Sequence, residues 1–178
     1  GPTSSFNTGP SGDHTTGSGI YYYVESSNPN YPNKIFMSYT PVFDVSATPG
    51  KVLSFWYHMY GDAMGDLEIA VGDYSIPGTG YTVLNTISGN QGDQWLFAYY
   101  PIPPNVVDSF RIIFKATTGT LYTSDICIDD IMVSDPFNVV FGCMDSTATN
   151  YNPNATHTDN SCTYPPCGGF INSNAYQM

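Results

Sequence analysis

Two adjacent aspartates, Asp129 and Asp130, stand between isoleucines in the stretch SDICIDDIMV, residues 124–133. Ile and Val at this density read as a strand, and a carboxylate drawn into a strand needs a cation or strong hydrogen-bond donors. The cation that fits is a hard one. Ca²⁺ takes about six to eight oxygen ligands from carboxylates, carbonyls and Asn side chains. The acid balance leans the same way, since all acidic residues but Glu25 and Glu68 are Asp. Other chemistries find little support. His14, His58 and His157 lie in no H-x-x-x-H spacing, and no C-x-x-C pair is present, so zinc has no visible ligand set. No G-x-S-x-G elbow offers a nucleophile. Adjacent strand residues point to opposite faces, which makes Asp129 and Asp130 a poor acid–base dyad for glycoside hydrolysis. His58, in FWYHMYG, is expected to be structural. The chain is read as non-catalytic.

The elements that would position these residues are strands. β-Branched and aromatic runs recur at 20–26, 35–40, 51–60, 67–72, 81–87, 94–100, 109–116 and 124–133, each bounded by Gly, Pro, Asn or Asp. Leu53, Phe55, Tyr57 and Met59 share one face of their run, and Phe110, Ile112 and Phe114 share one of theirs. No amphipathic helical window interrupts them. Eight such runs predict an all-β fold, an antiparallel β-sandwich.

Charge limits the partners. Four basic residues against 15 acidic ones give a net charge of −11 over 178 residues. Neither nucleic acid nor an anionic membrane face finds the clustered Lys and Arg it needs. No apolar run is long enough to insert into a membrane.

After Pro136 the composition changes. Residues 143–164 are rich in Asn, Thr and Asp and nearly devoid of apolar groups, so they cannot form a core. A staple must serve instead, and Cys143 with Cys162 closes a loop worth roughly 3 kcal/mol in the chain-entropy view. The organisation is then a sandwich at 1–135, a linker at 136–142, a Cys-bounded unit at 143–164 and a tail at 165–178. Asp145, Asn150, Asn152 and Asp159 supply oxygens within the unit but lack calcium-loop spacing, and they read better as turn formers. In an exported, oxidised protein Cys127 is expected as a buried free thiol, with Cys167 unpaired here or paired beyond the segment.

The stretches TGPSGDHTTGSGIYYYVES (8–26), LSFWYHMYGDAMGDLEIAV (53–71), GNQGDQWLFAYYPI (89–102) and SDICIDDI (124–131) together resemble a MAM domain. That extracellular module occurs in meprins, neuropilins and receptor phosphatases. The resemblance implies a jelly-roll-type sandwich, here with a small disulfide-stapled loop appendage. It departs at Val52, where the family often has a cysteine. Jelly-roll sandwiches of this kind, carbohydrate-binding ones included, often hold a structural calcium with an aspartate of the last strand and a carboxylate from a loop near the first. By that analogy Asp13 joins Asp129 and Asp130 as the expected Ca²⁺ set. The pattern GCMDSTATNYNPNATHTDNSC resembles a short repeat of large surface proteins exported by bacterial type IX secretion, and Asp145-Ser146-Thr147 resembles their O-glycosylation signal, with Ser146 as acceptor. The implied protein is an extracellular adhesion or interaction module of a larger exported protein, binding protein or glycan at a surface. The competing reading is a carbohydrate-binding module beside a secreted hydrolase or protease.

Overall fold

The computed structural model describes residues 2–44, 50–72, 80–104, 106, 109–136, 140–158 and 161–165. Two compact units divide the chain, Gly1–Pro136 and Phe137–Met178. The first is built from β1 (Tyr22–Val24), β2 (Ile35–Tyr39), β3 (Phe43–Asp44), β4 (Val52–Met59) and β5 (Asp66–Gly72). It continues with β6 (Thr82–Ser88), β7 (Leu96–Pro101), β8 (Ser109–Thr117) and β9 (Ile126–Ser134). Among the described residues there is no α-helix.

The strands pair antiparallel in two sheets, ordered β1-β9-β4-β7 and β2-β8-β5-β6, with β3 added on β8. Early and late strands interleave in both, as in a jelly roll. The eight expected runs each contain a strand. The ninth, β3, is two residues long and too short to leave a pattern.

The core lies between the sheets and follows the period of two. Leu53, Phe55 and Met59 from β4 and Ile126 and Ile128 from β9 meet Leu67, Ile69 and Val71 from β5 and Phe110, Ile112 and Phe114 from β8. Phe55 packs edge-to-face on Phe114 with ring centroids 5.1 Å apart. Strand β4 departs from simple alternation, because Val52, Ser54, Trp56 and His58 on its other face are buried as well. Something besides the second sheet covers that face.

Among its described residues the second unit carries two isolated bridges, Phe141 with His157 and Cys143 with Tyr151. A disulfide joins Cys143 to Cys162 across a Cα–Cα distance of 4.8 Å. Around it polar side chains bridge the chain: Asn150 donates to Ser161 O at 2.7 Å and accepts from Thr163 N at 2.8 Å. Asn152 Oδ1 accepts from Asn154 N at 3.0 Å, the turn-forming bond of an Asn. Asp159 and Cys167 lie outside the described residues. Cys127 is free and buried in the first unit.

Reduction of the Cys143–Cys162 bond should therefore unfold the second unit alone. On adding reductant, amide exchange is expected to become fast over residues 140–158 while the β4, β8 and β9 amides stay protected. Loss of strand protection at the same reductant concentration would show that the staple supports the sandwich too.

Candidate functional site

The cover on β4 is the N-terminal segment, residues 2–19, which lies over the outer face of the β1-β9-β4-β7 sheet as a strap. Its anchor is His14. The imidazole stacks on Trp56 with centroids 3.7 Å apart and planes 14° from parallel. Trp95 meets both His14 and His58 edge-on and donates from Nε1 to Gly12 O at 3.1 Å. Backbone and side chain of His14 then reach β9: His14 N donates to Asp129 Oδ2 at 2.9 Å, and Nδ1 lies 2.9 Å from Asp130 Oδ2. Thr15 adds its hydroxyl to Asp130 Oδ2 at 2.6 Å.

Both carboxylates reach the strap because β9 is bulged. The register with β4 shifts between Ser54 and Trp56, and Asp130 sits at a left-handed φ of 49°. A bulge places one extra residue on its strand and re-aims a side chain, and Asp tolerates the left-handed region better than most residues. The expectation that Asp129 and Asp130 point to opposite faces is thereby corrected. The bulge also returns Val133 to the core side, packed against the same cluster as Ile128.

Asp13 takes a different set of partners. Its carboxylate accepts from Thr16 N at 2.9 Å, from Thr16 Oγ1 at 3.0 Å and from Gly19 N. A Cβ on Gly19 would sit 2.9 Å from Asp13 Oδ2, so only glycine lets this amide approach. The Thr16 amide, ahead of the Gly19 amide and the Thr16 hydroxyl, holds the Asp13 carboxyl below its ordinary value against the opposing effect of burial.

The three aspartates expected to hold Ca²⁺ therefore sit in one neighbourhood but do not meet around one point. No group of three or more His, Cys, Asp or Glu converges as a metal set among the described residues. N–H and O–H groups address all three carboxylates.

Two further polar groups were not singled out by the sequence. Asp125 is wholly buried, and burial pushes its carboxyl above the ordinary value. Its Oδ1 accepts from Ser26 N and Ser26 Oγ, each at 2.9 Å, and its amide donates to Thr8 Oγ1 at 2.9 Å. Glu25 accepts from Ser27 N at 2.9 Å and Ser4 Oγ at 2.9 Å. Burial opposes its charge, but the Ser27, Ser4 and Ser5 donors prevail and hold its carboxyl low. His58 places Nε2 at 3.2 Å from Asp93 Oδ1, while burial keeps its pKa below the usual value. In the second unit Ser146 is exposed beside Asp145, whose carboxylate accepts from Thr147 N at 2.8 Å and Tyr164 Oη at 2.7 Å.

A family model for the MAM domain, meprin/A5/mu, matches residues 2–137. The chain is 38% identical over 136 residues to thyroid hormone-induced protein B of Xenopus laevis, covering 74% of this chain and 18% of that protein. It is 37% identical over 131 residues to MAM domain-containing glycosylphosphatidylinositol anchor protein 1 of Rattus norvegicus, covering 73% and 13%. The chain thus spans less than a fifth of the length of these curated relatives. Among solved structures it is similar to the K1 cleaved adhesin domain of Lys-gingipain from Porphyromonas gingivalis W83. The TM-score is 0.49 at 17% identity, over 65% of this chain and 73% of that one.

The two β9 aspartates should differ in weight. Asp129 accepts a backbone N–H at a half-buried position, so Asp129→Ala is expected to cost about 1–3 kcal/mol. The Asp130 side chain is 42% exposed, and Asp130→Ala should cost roughly 1 kcal/mol or less. Denaturant titration of the two variants measures this, and an Asp130 effect as large as that of Asp129 would contradict the geometry.

Acid should loosen the strap through Asp13. A carboxyl held below its unfolded value contributes stability that is complete above that unfolded value and fades as pH falls through the folded one. Between pH 5 and 2 the wild-type melting temperature is expected to fall more steeply than that of Asp13→Asn. Parallel curves would show that Asp13 contributes nothing to the acid limb.

Proposed function

The chain belongs to the MAM domain family, and from that premise we propose that it is a non-catalytic extracellular interaction module of a larger exported protein, engaging protein or glycan at a surface. One observation carries the reading: the groups that could do chemistry are spent on the strap. His14, Asp13, Asp129 and Asp130 fasten it, and His58 is buried beneath it with a depressed pKa. A general acid–base pair must reach a substrate, and none of these is left to do so. The relatives support a module within a longer chain, since the matched region is a small part of each. One of them is named as a glycosylphosphatidylinositol anchor protein, which supports display outside the cell.

The second unit supports an oxidising, extracellular setting through its disulfide. Its likeness to repeats of type IX-exported surface proteins supports a bacterial parent, with exposed Ser146 as a glycosylation acceptor.

The distribution of aromatic residues favours interaction over a dedicated sugar platform. Trp56 is buried under His14, and Trp95 is tied to Gly12 O. Exposed tyrosines are dispersed: Tyr22 and Tyr23 lie on β1, Tyr39 on β2 of the other sheet, Tyr122 ahead of β9, and Tyr151 and Tyr164 in the second unit. A sugar-stacking row needs several rings on one surface. This chain spreads them over both sheets.

Affinity of such a module is expected to come from repetition rather than from one site. The purified monomer should show little retention on a broad glycan array and no hydrolysis of peptides or glycosides, whereas beads carrying many copies should adhere. Tight monomer binding to one polysaccharide, abolished by Tyr22→Ala or Tyr23→Ala, would replace the interaction reading with the carbohydrate-binding one.

A further inference from the structure

Beyond the His14 anchor, residues 2–11 of the strap together with Tyr60 and Asp93 enclose an open cleft of about 440 Å³. Both of its walls are fixed before anything binds. On the strap side the loop closes on itself: Thr3 N donates to Pro10 O at 3.4 Å and Thr3 Oγ1 to Thr8 O at 2.9 Å. A Cβ on Gly9 would collide with the Thr3 side chain, so only glycine, here at a φ of +66°, permits that closure. Ser4 and Ser5 tie the loop to Glu25. On the other side Gln91 N donates to Met59 O at 2.7 Å, and Gly92 N to Asn90 Oδ1 at 3.0 Å. These bonds hold the 90–93 turn against the end of β4 and set Asp93 on the same wall as Tyr60.

The chemistry of the walls defines the occupant. None of the described residues lining the cleft is basic. The Asp93 side chain is 66% exposed and lies 3.2 Å from His58 Nε2. Burial lowers the pKa of His58, so the imidazole is neutral at physiological pH and leaves the carboxylate without a counter-charge. The bases that could answer it are engaged elsewhere: Lys51 with Asp135, Lys115 with Glu68, and Arg111 with Thr40 O. Two aromatic rings stand at the same cleft. Phe6 is 86% exposed, on a loop whose closure leaves the ring outside, and Tyr60 faces it from the other wall. A guanidinium satisfies both features at once, because it stacks flat on aromatic faces while its edge donates to a carboxylate. A neutral sugar would use the rings but leave the charge unanswered, and an acidic group would be repelled.

We propose that this cleft receives an arginine side chain of a protein partner, with the guanidinium edge against Asp93 and its flat face on the aromatic rim of Phe6 and Tyr60. The proposal rests on the reading of the chain as an interaction module and gives that module a defined contact. One such contact is weak, because Asp93 is exposed to water and salt. Binding therefore gains from repeated copies, each presenting the same cleft.

The test titrates the whole 178-residue chain with acetyl-Gly-Arg-Gly-amide at about 0.15 M salt and follows the amide resonances. Shifts centred on residues 3–9, Tyr60 and Asp93 are expected, saturating with a dissociation constant on the order of 1 mM. The citrulline peptide, which keeps the shape and loses the charge, should shift none of them, and neither should maltotriose. Asp93→Asn and Phe6→Ala should each weaken binding about three- to fivefold. Both side chains are largely exposed, so both variants keep the fold. Asp66→Asn, the same charge change on β5 of the other sheet, should leave the affinity unchanged. No shifts with the arginine peptide, equal binding of the citrulline peptide, shifts at these residues with maltotriose, or full affinity in Asp93→Asn would each overturn the cleft. Beads carrying many copies separate this from the wider reading. Adhesion by Asp93→Asn beads equal to that of wild type would place the partner on another face and overturn the cleft alone. Wild-type beads that do not adhere would instead overturn the interaction-module reading itself.

Discussion

The second face of β4 is the constraint on which the sandwich depends. A central strand of a two-layer fold normally buries one face and wets the other. Here both faces are apolar or aromatic, because Trp56 and His58 alternate with Phe55 and Met59. Left bare, Trp56, Phe97 and Trp95 would form an exposed aromatic patch of the kind that invites association. The strap removes it by laying an imidazole, rather than another apolar side chain, on Trp56. An imidazole can stack and still hydrogen-bond, so the same residue that fills the surface is also pinned in direction by β9.

That choice explains the distribution of acids around it. A strap of Gly, Ser and Thr has little apolar area with which to hold itself down, so its order must come from polar contacts to groups on the sheet. Carboxylates serve this well, since each can accept several hydrogen bonds and charge strengthens each one. Asp13 closes the loop on itself, Asp129 and Asp130 hold it to β9, and Glu25 gathers the hydroxyls of residues 4 and 5. Four acids thus act as fasteners in a chain whose bases are too few to neutralise them.

The sandwich was legible because its signal is local. Alternation in 109–116 and 53–59 needs no knowledge of the partner sheet. The strap was not legible, because GPSGDHTTGSG has the composition of a loop and gives no sign of what it covers. The trace lay elsewhere, in β4, where FWYHM offers no polar face to solvent and so demanded a cover. The bulge left a similar trace. Ile128 and Val133 differ in parity yet are both apolar, which a regular strand cannot reconcile with one core. Read that way, the Asp129-Asp130 pair marked the extra residue. Asp125 stayed hidden because its need arises from tertiary burial, which spacing along the chain does not encode.

The same electrostatics bear on how such a module can associate. At −11 net charge, two copies approaching through any broad face repel each other, and physiological salt screens that only beyond about 8 Å. Two of the four sheet edges are poor templates, β1 at three residues and β2 at five, whereas β7 and β6 present six and seven. Short edges limit strand-to-strand pairing. Exposed large apolar side chains are spread along the first unit, among them Phe6, Ile20, Tyr22 and Tyr23, Ile35 and Tyr39, and Ile131 and Met132. A surface of that charge attracts basic groups and cations and repels acidic ones.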